Sequence, residues 1–200
     1  MTFFKRLLGI QDTSSTEGKE EKSKYMPSQK PFSDELFMNN FIKNGGKFIY
    51  CENKEELFSN LDLILKEQNW NGEKIYSHDV ERDKAFFSGM DFVFSKTKSE
   101  NILIADCEFL IAADGSVLVC SNQVGEGQLS DLPHNFIIYA KTSQIIQTIS
   151  ESLQLIKRKH NNNIPSSITS LKTFKEKEEV DFLSYGSTQK NLYLLLLEDL

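Results

Sequence analysis

Apolar and polar residues alternate in blocks from residue 33 onward, and each block has the length and boundaries of one secondary-structure element. Ser33, followed by two acidic residues, is a typical helix start, and Gly45-Gly46 is a typical stop. Residues 47–51 then predict a strand. Asn53 predicts the cap of a second helix. Four apolar residues at helical spacing predict its buried side: Leu57, Leu61, Ile64 and Leu65.

The same pattern predicts strands at residues 74–76 and 92–94, with a helix at 81–87 between them. Strands at 109–112 and 117–120 flank Asp114-Gly115, which is a strong hairpin signal. A polar loop at 122–127 and a helical turn at 128–132 precede Pro133 and a strand at 136–140. Strands that alternate with helices predict a largely parallel sheet and therefore an α/β fold.

A long helix capped by Ser143 is predicted after this strand, because apolar residues recur there at helical spacing. They are Ile145, Ile146, Ile149, Leu153 and Ile156. Residues 167–171 and 192–197 predict the last strands. The latter run is apolar at every position, as expected of a strand buried on both faces.

The first 32 residues have a different composition and predict a flexible segment ahead of one domain at residues 33–200. Residues 11–29 are rich in Ser, Thr, Glu and Lys, and they bury too little apolar surface to offset the entropy of ordering. Residues 3–10 are amphipathic. They predict either a short turn clipped onto the protein's own surface or a peptide that docks onto a partner.

Charge narrows the range of partners. The chain has 23 basic and 29 acidic residues, a formal net charge of −6, and its basic residues cluster only at 157–159. This balance argues against nucleic acid as the main partner. No apolar run approaches the roughly 20 residues of a membrane span, and the N-terminus lacks an export pattern. We therefore expect no membrane span and a cytoplasmic protein.

Cysteine and histidine spacing predicts no metal or cofactor bound by this chain alone. Cys51, Cys107 and Cys120 lie far apart, which is typical of reduced thiols in a cytosolic protein. A [4Fe–4S] cluster needs four thiolates, more than the chain contains. The three histidines lack the spacing of zinc ligands.

Residues 109–119 read Phe-Leu-Ile-Ala-Ala-Asp-Gly-Ser-Val-Leu-Val, and a polar loop, Leu132-Pro133 and a predicted strand follow. This order resembles the signature of the lactate-utilisation (LUD) domain of lactate utilisation protein C: Ile-Ala-Glu-Thr-Gly-Thr, a polar loop, then Leu-Pro before a strand. The resemblance covers residues 33–200. It implies a Rossmann-like layered α/β sheet, similar to the sugar-phosphate isomerase and CoA-transferase group. It also implies a multi-subunit system that oxidises L-lactate to pyruvate, with iron–sulfur clusters on partner subunits.

The chain departs from this family pattern at the hairpin turn and near the C-terminus, where the family's later Asp is missing and Tyr185-Gly186-Ser187 stands in place of His-Gly-Pro. Ala113-Asp114 stands where the family has Glu-Thr, so the carboxylate has moved by one position, which turns a strand-end side chain to the opposite face. Lys172-Thr173 stands where the family has Arg-Thr, and lysine lacks the fork with which arginine grips a carboxylate. Two functions therefore remain open: an accessory subunit of lactate oxidation, or a small-molecule enzyme or binding protein.

The turn formed by Asp114, Gly115 and Ser116 is the first candidate ligand site, because open α/β sheets bind ligands at strand ends. The alternative is a turn with a structural role only. Gly125 and Gly127 precede a short helix and could present backbone N–H groups to a phosphate or carboxylate. A mobile loop is the alternative, and it is favoured because Ser130 stands where a third glycine would and Glu126 would repel an anion.

His134 is a candidate acid or base, and a structural histidine is the alternative. The full set of candidate ligand-binding residues is Asp114, Gly115, Ser116, Gly125, Gly127, His134, Lys172 and Thr173.

Overall fold

The computed structural model describes residues 33–160, 164–172, 174 and 189–199. The predicted flexible segment, residues 1–32, lies outside the described residues, and so does the candidate Thr173. No helix within the described ranges is both long enough and apolar enough to cross a membrane.

Five α-helices and ten strands make up the described fold. The helices are α1 (Ser33–Lys43), α2 (Lys54–Glu67), α3 (Val80–Phe86), α4 (Ser121–Val124) and α5 (Ile149–His160). The first six strands are β1 (Lys47–Cys51), β2 (Lys74–Tyr76), β3 (Val93–Ser95), β4 (Ile102–Ala105), β5 (Phe109–Ile111) and β6 (Ser116–Val119). The last four are β7 (Asn135–Lys141), β8 (Ile145–Ile146), β9 (Thr169–Leu171) and β10 (Asn191–Leu197).

Six of the strands form a parallel sheet in the order β1-β10-β7-β4-β2-β3. The last strand of the chain thus lies between the first strand and β7. A second sheet has the order β8-β5-β6-β9, and its central pair, β5 and β6, is antiparallel. The hairpin predicted around Asp114-Gly115 is therefore confirmed, but it belongs to the second sheet.

The parallel sheet is covered on both faces. Along β7, Phe136 and Ile138 pack in a core with α1 and the second sheet. The alternate residues Ile137 and Tyr139 pack in a second core with α2 and the aromatic residues at the end of α3. The predicted α/β fold with a Rossmann-like layered sheet is confirmed.

Helix α2 shows how closely local sequence specifies an element. Oδ1 of Asn53 accepts a hydrogen bond of 2.8 Å from the backbone N–H of Glu56, which satisfies a helix-end donor. The side chains buried along this helix are the predicted Leu57, Leu61, Ile64 and Leu65. The predicted cap and buried face are both confirmed.

The long helix predicted after Ser143 is wrong at its start. Ile145 and Ile146 form strand β8, which pairs with β5, and α5 begins only at Ile149. The backbone of Ile146 is tied to the second sheet, where its carbonyl accepts a hydrogen bond of 2.8 Å from the N–H of Ala112. Backbone pairing with a neighbouring strand therefore overrides the helical spacing of the isoleucines.

The sequence pattern did not predict two further elements, β4 and α4. Strand β4 is a four-residue apolar run buried at every position, and it lies between β7 and β2. Helix α4 occupies the predicted polar loop, and the side chain of Gln123 folds back to accept a hydrogen bond from the N–H of Cys120. Because β4 ends at Ala105, the residue that follows it, Asp106, emerges at the carboxyl edge of the parallel sheet.

Candidate functional site

The connections that leave β2 and β4 run in opposite directions, although the two strands are neighbours in the parallel sheet. From β2 the chain passes through α3 to β3, and from β4 it passes through the hairpin of the second sheet to β7. In open α/β sheets, such a switch point opens a crevice beyond the carboxyl ends of the strands, and ligands bind there.

An ion pair spans this switch point. Nη1 of Arg82, on α3, lies 3.1 Å from Oδ1 of Asp106, which directly follows β4. Nε of the same guanidinium lies 3.5 Å from Oδ1 of Asp83. Within the described residues, Nε and Nη2 of Arg82 are buried and have no hydrogen-bond acceptor. The guanidinium thus contacts two carboxylates, and two of its nitrogens have no hydrogen-bond acceptor in the described structure.

The carboxylate of Asp83 links three elements around this ion pair through hydrogen bonds. This carboxylate is fully buried. It accepts hydrogen bonds of 2.6 Å from Oγ of Ser77 and 2.7 Å from the hydroxyl of Tyr139. Burial, together with the negative charge of Asp83, raises the pKa of Tyr139, so its hydroxyl keeps its proton and acts as a donor. One buried carboxylate therefore joins the end of β2, α3 and β7.

A cleft of about 270 Å³ lies beside this network, at the carboxyl ends of β4, β7 and β10. Its lining residues are Arg82, Phe86, Asp106, Tyr139, Ala140, Lys141, Gln144 and Leu197. The rings of Phe86 and Tyr139 stack with centroids 4.3 Å apart. An apolar floor with a few convergent polar groups is typical of small-molecule sites.

Asp106 is the carboxylate in this cleft that changes its charge nearest neutral pH. Burial raises the pKa of its carboxyl group to about 6, although the positive charge of Arg82 opposes this shift. The negative charges of Asp83 and Glu108 contribute to this value in the same direction as burial. A carboxyl group with such a pKa can both give and accept a proton under physiological conditions.

A second buried carboxylate, Glu108, follows two residues after Asp106. It accepts hydrogen bonds of 2.9 Å from Nε2 of Gln123 and 3.0 Å from Nζ of Lys159, and Nε2 of His160 lies 3.6 Å away. Burial alone would raise the pKa of Glu108, but these hydrogen bonds outweigh it and hold the pKa below its usual value. Glu108 therefore stays ionised and anchors α4 and α5.

The structure brings together part of the predicted site, at a different place. Oδ1 of Asp114 accepts a hydrogen bond of 2.7 Å from Oγ of Ser116, and its Oδ2 lies 3.5 Å from Nζ of Lys172. The turn packs on α1, and Asn44, the residue after this helix, donates a hydrogen bond of 2.8 Å to the carbonyl of Asp114. The turn thus faces the residues that lead into β1, not the carboxyl edge of the parallel sheet. Its proposed role in ligand binding stays a prediction.

The other candidates lie apart from this turn. Gly125 lies against the ring of His78, and Gly127 lies near Lys98; both glycines have positive φ. His134 is exposed at the amino edge of the parallel sheet, just ahead of β7. It lines a separate cleft of about 470 Å³. The structure therefore does not gather the glycines, His134 and the Asp114 turn into one site.

Sequence reasoning missed Arg82, Asp106 and Tyr139. A signal for Asp106 was present, because it is the first charged residue after the apolar run of β4. That signal depends on recognising residues 102–105 as a strand of the parallel sheet. Arg82 and Tyr139 carry no local signal, since only the strand order brings them together.

Among the residues that the structure describes, no group of three or more His, Cys, Asp or Glu side chains is arranged to hold a metal ion.

No protein-family model matches the chain. No curated protein matches it either. A solved structure that does resemble it is that of a DUF162 family protein from Deinococcus radiodurans, with a TM-score of 0.57. That protein is 14% identical, and the match covers 84% of this chain and 96% of that one. At this level of identity the likeness shows the fold alone.

Proposed function

We propose that the chain is a cytoplasmic LUD-domain protein that binds a small organic oxyacid and acts as an accessory subunit in the oxidation of L-lactate to pyruvate. The signature at residues 109–119 and 132–133 supports the family assignment. The structural neighbour supports it too, because DUF162 is the LUD-domain family.

The observation that carries the binding proposal is the position of the Arg82 guanidinium beside a cleft at the switch point of the sheet. A guanidinium matches the geometry of a carboxylate, which can accept two parallel hydrogen bonds. Lys141 adds a second cation at the same cleft, and Phe86 and Leu197 offer apolar surface to the carbon chain of the ligand. L-lactate and pyruvate share the carboxylate that this arrangement would recognise.

Oxidation of a hydroxy acid releases two electrons, and we propose that iron–sulfur clusters on partner subunits accept them. In the described fold all three cysteines are buried free thiols: Cys51 ends β1, Cys107 lies between β4 and β5, and Cys120 lies between β6 and α4. The chain's own part would then be to bind and orient the acid.

Isothermal titration calorimetry with L-lactate and with pyruvate tests the binding site. We expect Arg82→Gln to weaken binding about 10- to 100-fold, as expected for hydrogen bonds to a charged group. Lys84→Gln, an exposed change on the same helix, is the matched control and should bind like the wild type. Equal affinity of Arg82→Gln and the wild type would contradict this site.

The role in lactate oxidation needs a test in the cell. Removing the protein from its host should slow growth on L-lactate but not on pyruvate. The wild-type chain should restore growth, whereas Arg82→Gln should not. Normal growth on L-lactate without the protein would overturn the accessory role and leave the binding site intact.

One observation favours a second candidate, a small-molecule enzyme that moves a proton. Asp106, with a pKa raised by burial to about 6, lines the cleft and suits acid–base chemistry. The wild-type protein would then exchange the methyl protons of pyruvate in heavy water faster than the Asp106→Asn variant does. Proton NMR follows this exchange. Equal exchange rates would exclude this reaction.

A further inference from the structure

We propose that the cleft takes up one proton with each anionic ligand, and that Asp106 is the residue that binds this proton. The inference deepens the proposed function and rests on it, because it concerns the same binding site. It follows from the balance of charges around the cleft and from the hydrogen bonds that each carboxylate accepts.

Both cations that line the cleft are already matched by carboxylates. Arg82 lies 3.1 Å from Asp106 and 3.5 Å from Asp83, and Lys141 lies 3.8 Å from Asp199. Asp83 and Asp199 lie behind the residues that line the cleft, so the two lining cations contact three carboxylates in all, one more than they can neutralise. A further anion would meet repulsion that is weakly screened at a partly buried site.

Charged groups on the surrounding elements do not reverse this balance. Asp79, the cap of α3, adds negative charge near Arg82. Lys159 of α5 is paired with Glu108 at 3.0 Å. Lys54 of α2 also lies behind the lining, with its Nζ 4.8 Å from the centroid of the Phe86 ring, and its positive charge offsets the negative charge of Asp79. Neutralising one carboxylate is therefore the direct way to admit an anion.

Three of the carboxylates around the cleft, Asp83, Asp199 and Glu108, accept hydrogen bonds from side-chain or backbone donors. Asp83 accepts hydrogen bonds from two hydroxyl groups. Asp199 accepts hydrogen bonds from Thr142 and Ser143, and Glu108 accepts them from Gln123 and Lys159. These bonds outweigh burial and hold the pKa of both Asp199 and Glu108 below the usual value.

Asp106 differs from these three. Its Oδ1 is buried close to Arg82 but lacks hydrogen-bond geometry within the described structure. Burial raises its pKa to about 6 despite the neighbouring guanidinium. Unlike the other three carboxylates, Asp106 therefore has a buried oxygen that no hydrogen bond stabilises in the described structure, and protonating it breaks no such bond.

A proton from the solvent adds to the carboxylate of Asp106, and the ligand carboxylate replaces Asp106 as the anion beside Arg82. The new hydroxyl group of Asp106 can donate a hydrogen bond to a ligand oxygen. A carboxylic acid ligand with a pKa of about 4 stays ionised above pH 6, so the proton resides on the protein.

Titration calorimetry of the full chain with L-lactate and with pyruvate, at pH 6 and pH 8, tests this inference. Two buffers of different ionisation enthalpy give the number of protons taken up. We expect close to one proton per ligand at pH 8, and an affinity about 50-fold lower at pH 8 than at pH 6, because the competent protonated fraction falls from about one half to about one hundredth.

Asp106→Asn supplies a neutral side chain of the same shape. It should bind with no proton uptake, with equal affinity at both pH values, and more tightly than the wild type at pH 8. Asp62→Asn, which removes an exposed, ion-paired carboxylate of α2, is the matched control and should retain the pH dependence.

The outcomes separate the two proposals. Binding without proton uptake, or uptake that persists in Asp106→Asn, overturns the role of Asp106 and leaves the binding function standing. Failure of both probes to bind the wild type between pH 5 and pH 8 overturns the binding function and this inference together. The proton count is measured on the wild type, so it decides whether a proton is taken up with the ligand even if Asp106→Asn does not fold.

Discussion

The hydroxyl of Tyr139 donates a hydrogen bond of 2.7 Å to Oδ1 of Asp83, and this bond ties β7 to α3 beneath the candidate cleft. Tyr139→Phe removes the donor and leaves the ring in place. We expect the free energy of unfolding to fall by about 1.5–3 kcal/mol, as expected for a hydrogen bond to a buried charged group. Urea denaturation followed by fluorescence measures the change.

Tyr193→Phe is the control for that experiment. Its hydroxyl contacts Nζ of Lys47 at 2.8 Å, and Lys47 is exposed. The loss should not exceed about 1 kcal/mol. If Tyr139→Phe lowers the free energy of unfolding no more than Tyr193→Phe does, the hydrogen bond from Tyr139 to Asp83 does not stabilise the fold.

Gly115 permits the close approach of the hairpin to α1. Its φ is +68°, and a Cβ atom there would lie 2.3 Å from backbone atoms of Asn40 and Phe41. Gly115→Ala should therefore destabilise the protein by about 2–4 kcal/mol, from backbone strain and a steric clash. Gly72→Ala, at φ +77° with open space around it, should cost about 1 kcal/mol from strain alone. Equal melting temperatures for the two variants would contradict the clash.

Glu108 should stabilise the fold in a pH-dependent way. Its folded-state pKa is below the ordinary 4.5, so its contribution is present above that pH and is lost as the pH falls through the folded value. At pH 7, Glu108→Gln should cost about 1.5–3 kcal/mol. The difference from the wild type should shrink below pH 4. Exposed Glu67→Gln should stay within about 0.5 kcal/mol of the wild type.

The residues that carry the fold were largely predictable, and those that carry the candidate site were not. The capping side chain of Asn53 and the leucines of α2 act within one helix, so their pattern is visible in the sequence. Ile145 and Ile146 fit a helix and a strand equally well, and only pairing with β5 decides between them. Arg82 and Asp106 become neighbours only through the strand order, which local pattern does not encode.

Residues 1–30 should be dispensable for stability, because they lack a core-forming pattern and have the composition of a linker. A chain beginning at Pro31 should melt within a few degrees of the full chain in a calorimetric scan. A drop of more than about 10 °C would show that residues 3–10 pack onto the domain.

The isolated protein should contain no stoichiometric iron or zinc. Burial raises the pKa of Cys51 and of Cys120 to about 11, and the pKa of Cys107 is raised well above the usual value. Each therefore stays a thiol, whereas a metal ligand must be a thiolate. Elemental analysis after anaerobic purification checks this. Iron at one equivalent or more would point to a site shared between chains.

The position of β10 imposes an order on the assembly of the protein. This strand separates β1 from β7, with Leu194 opposite Phe48 on one side and Ile138 on the other. During synthesis on the ribosome, β1 cannot reach its place in the sheet until residues 191–197 have emerged. Strand β1 therefore stays unpaired while most of the chain is translated, and the apolar surfaces of α1 and β1 stay exposed during that time. Closure of the sheet by its last strand should make folding slow and dependent on an intact C-terminal segment.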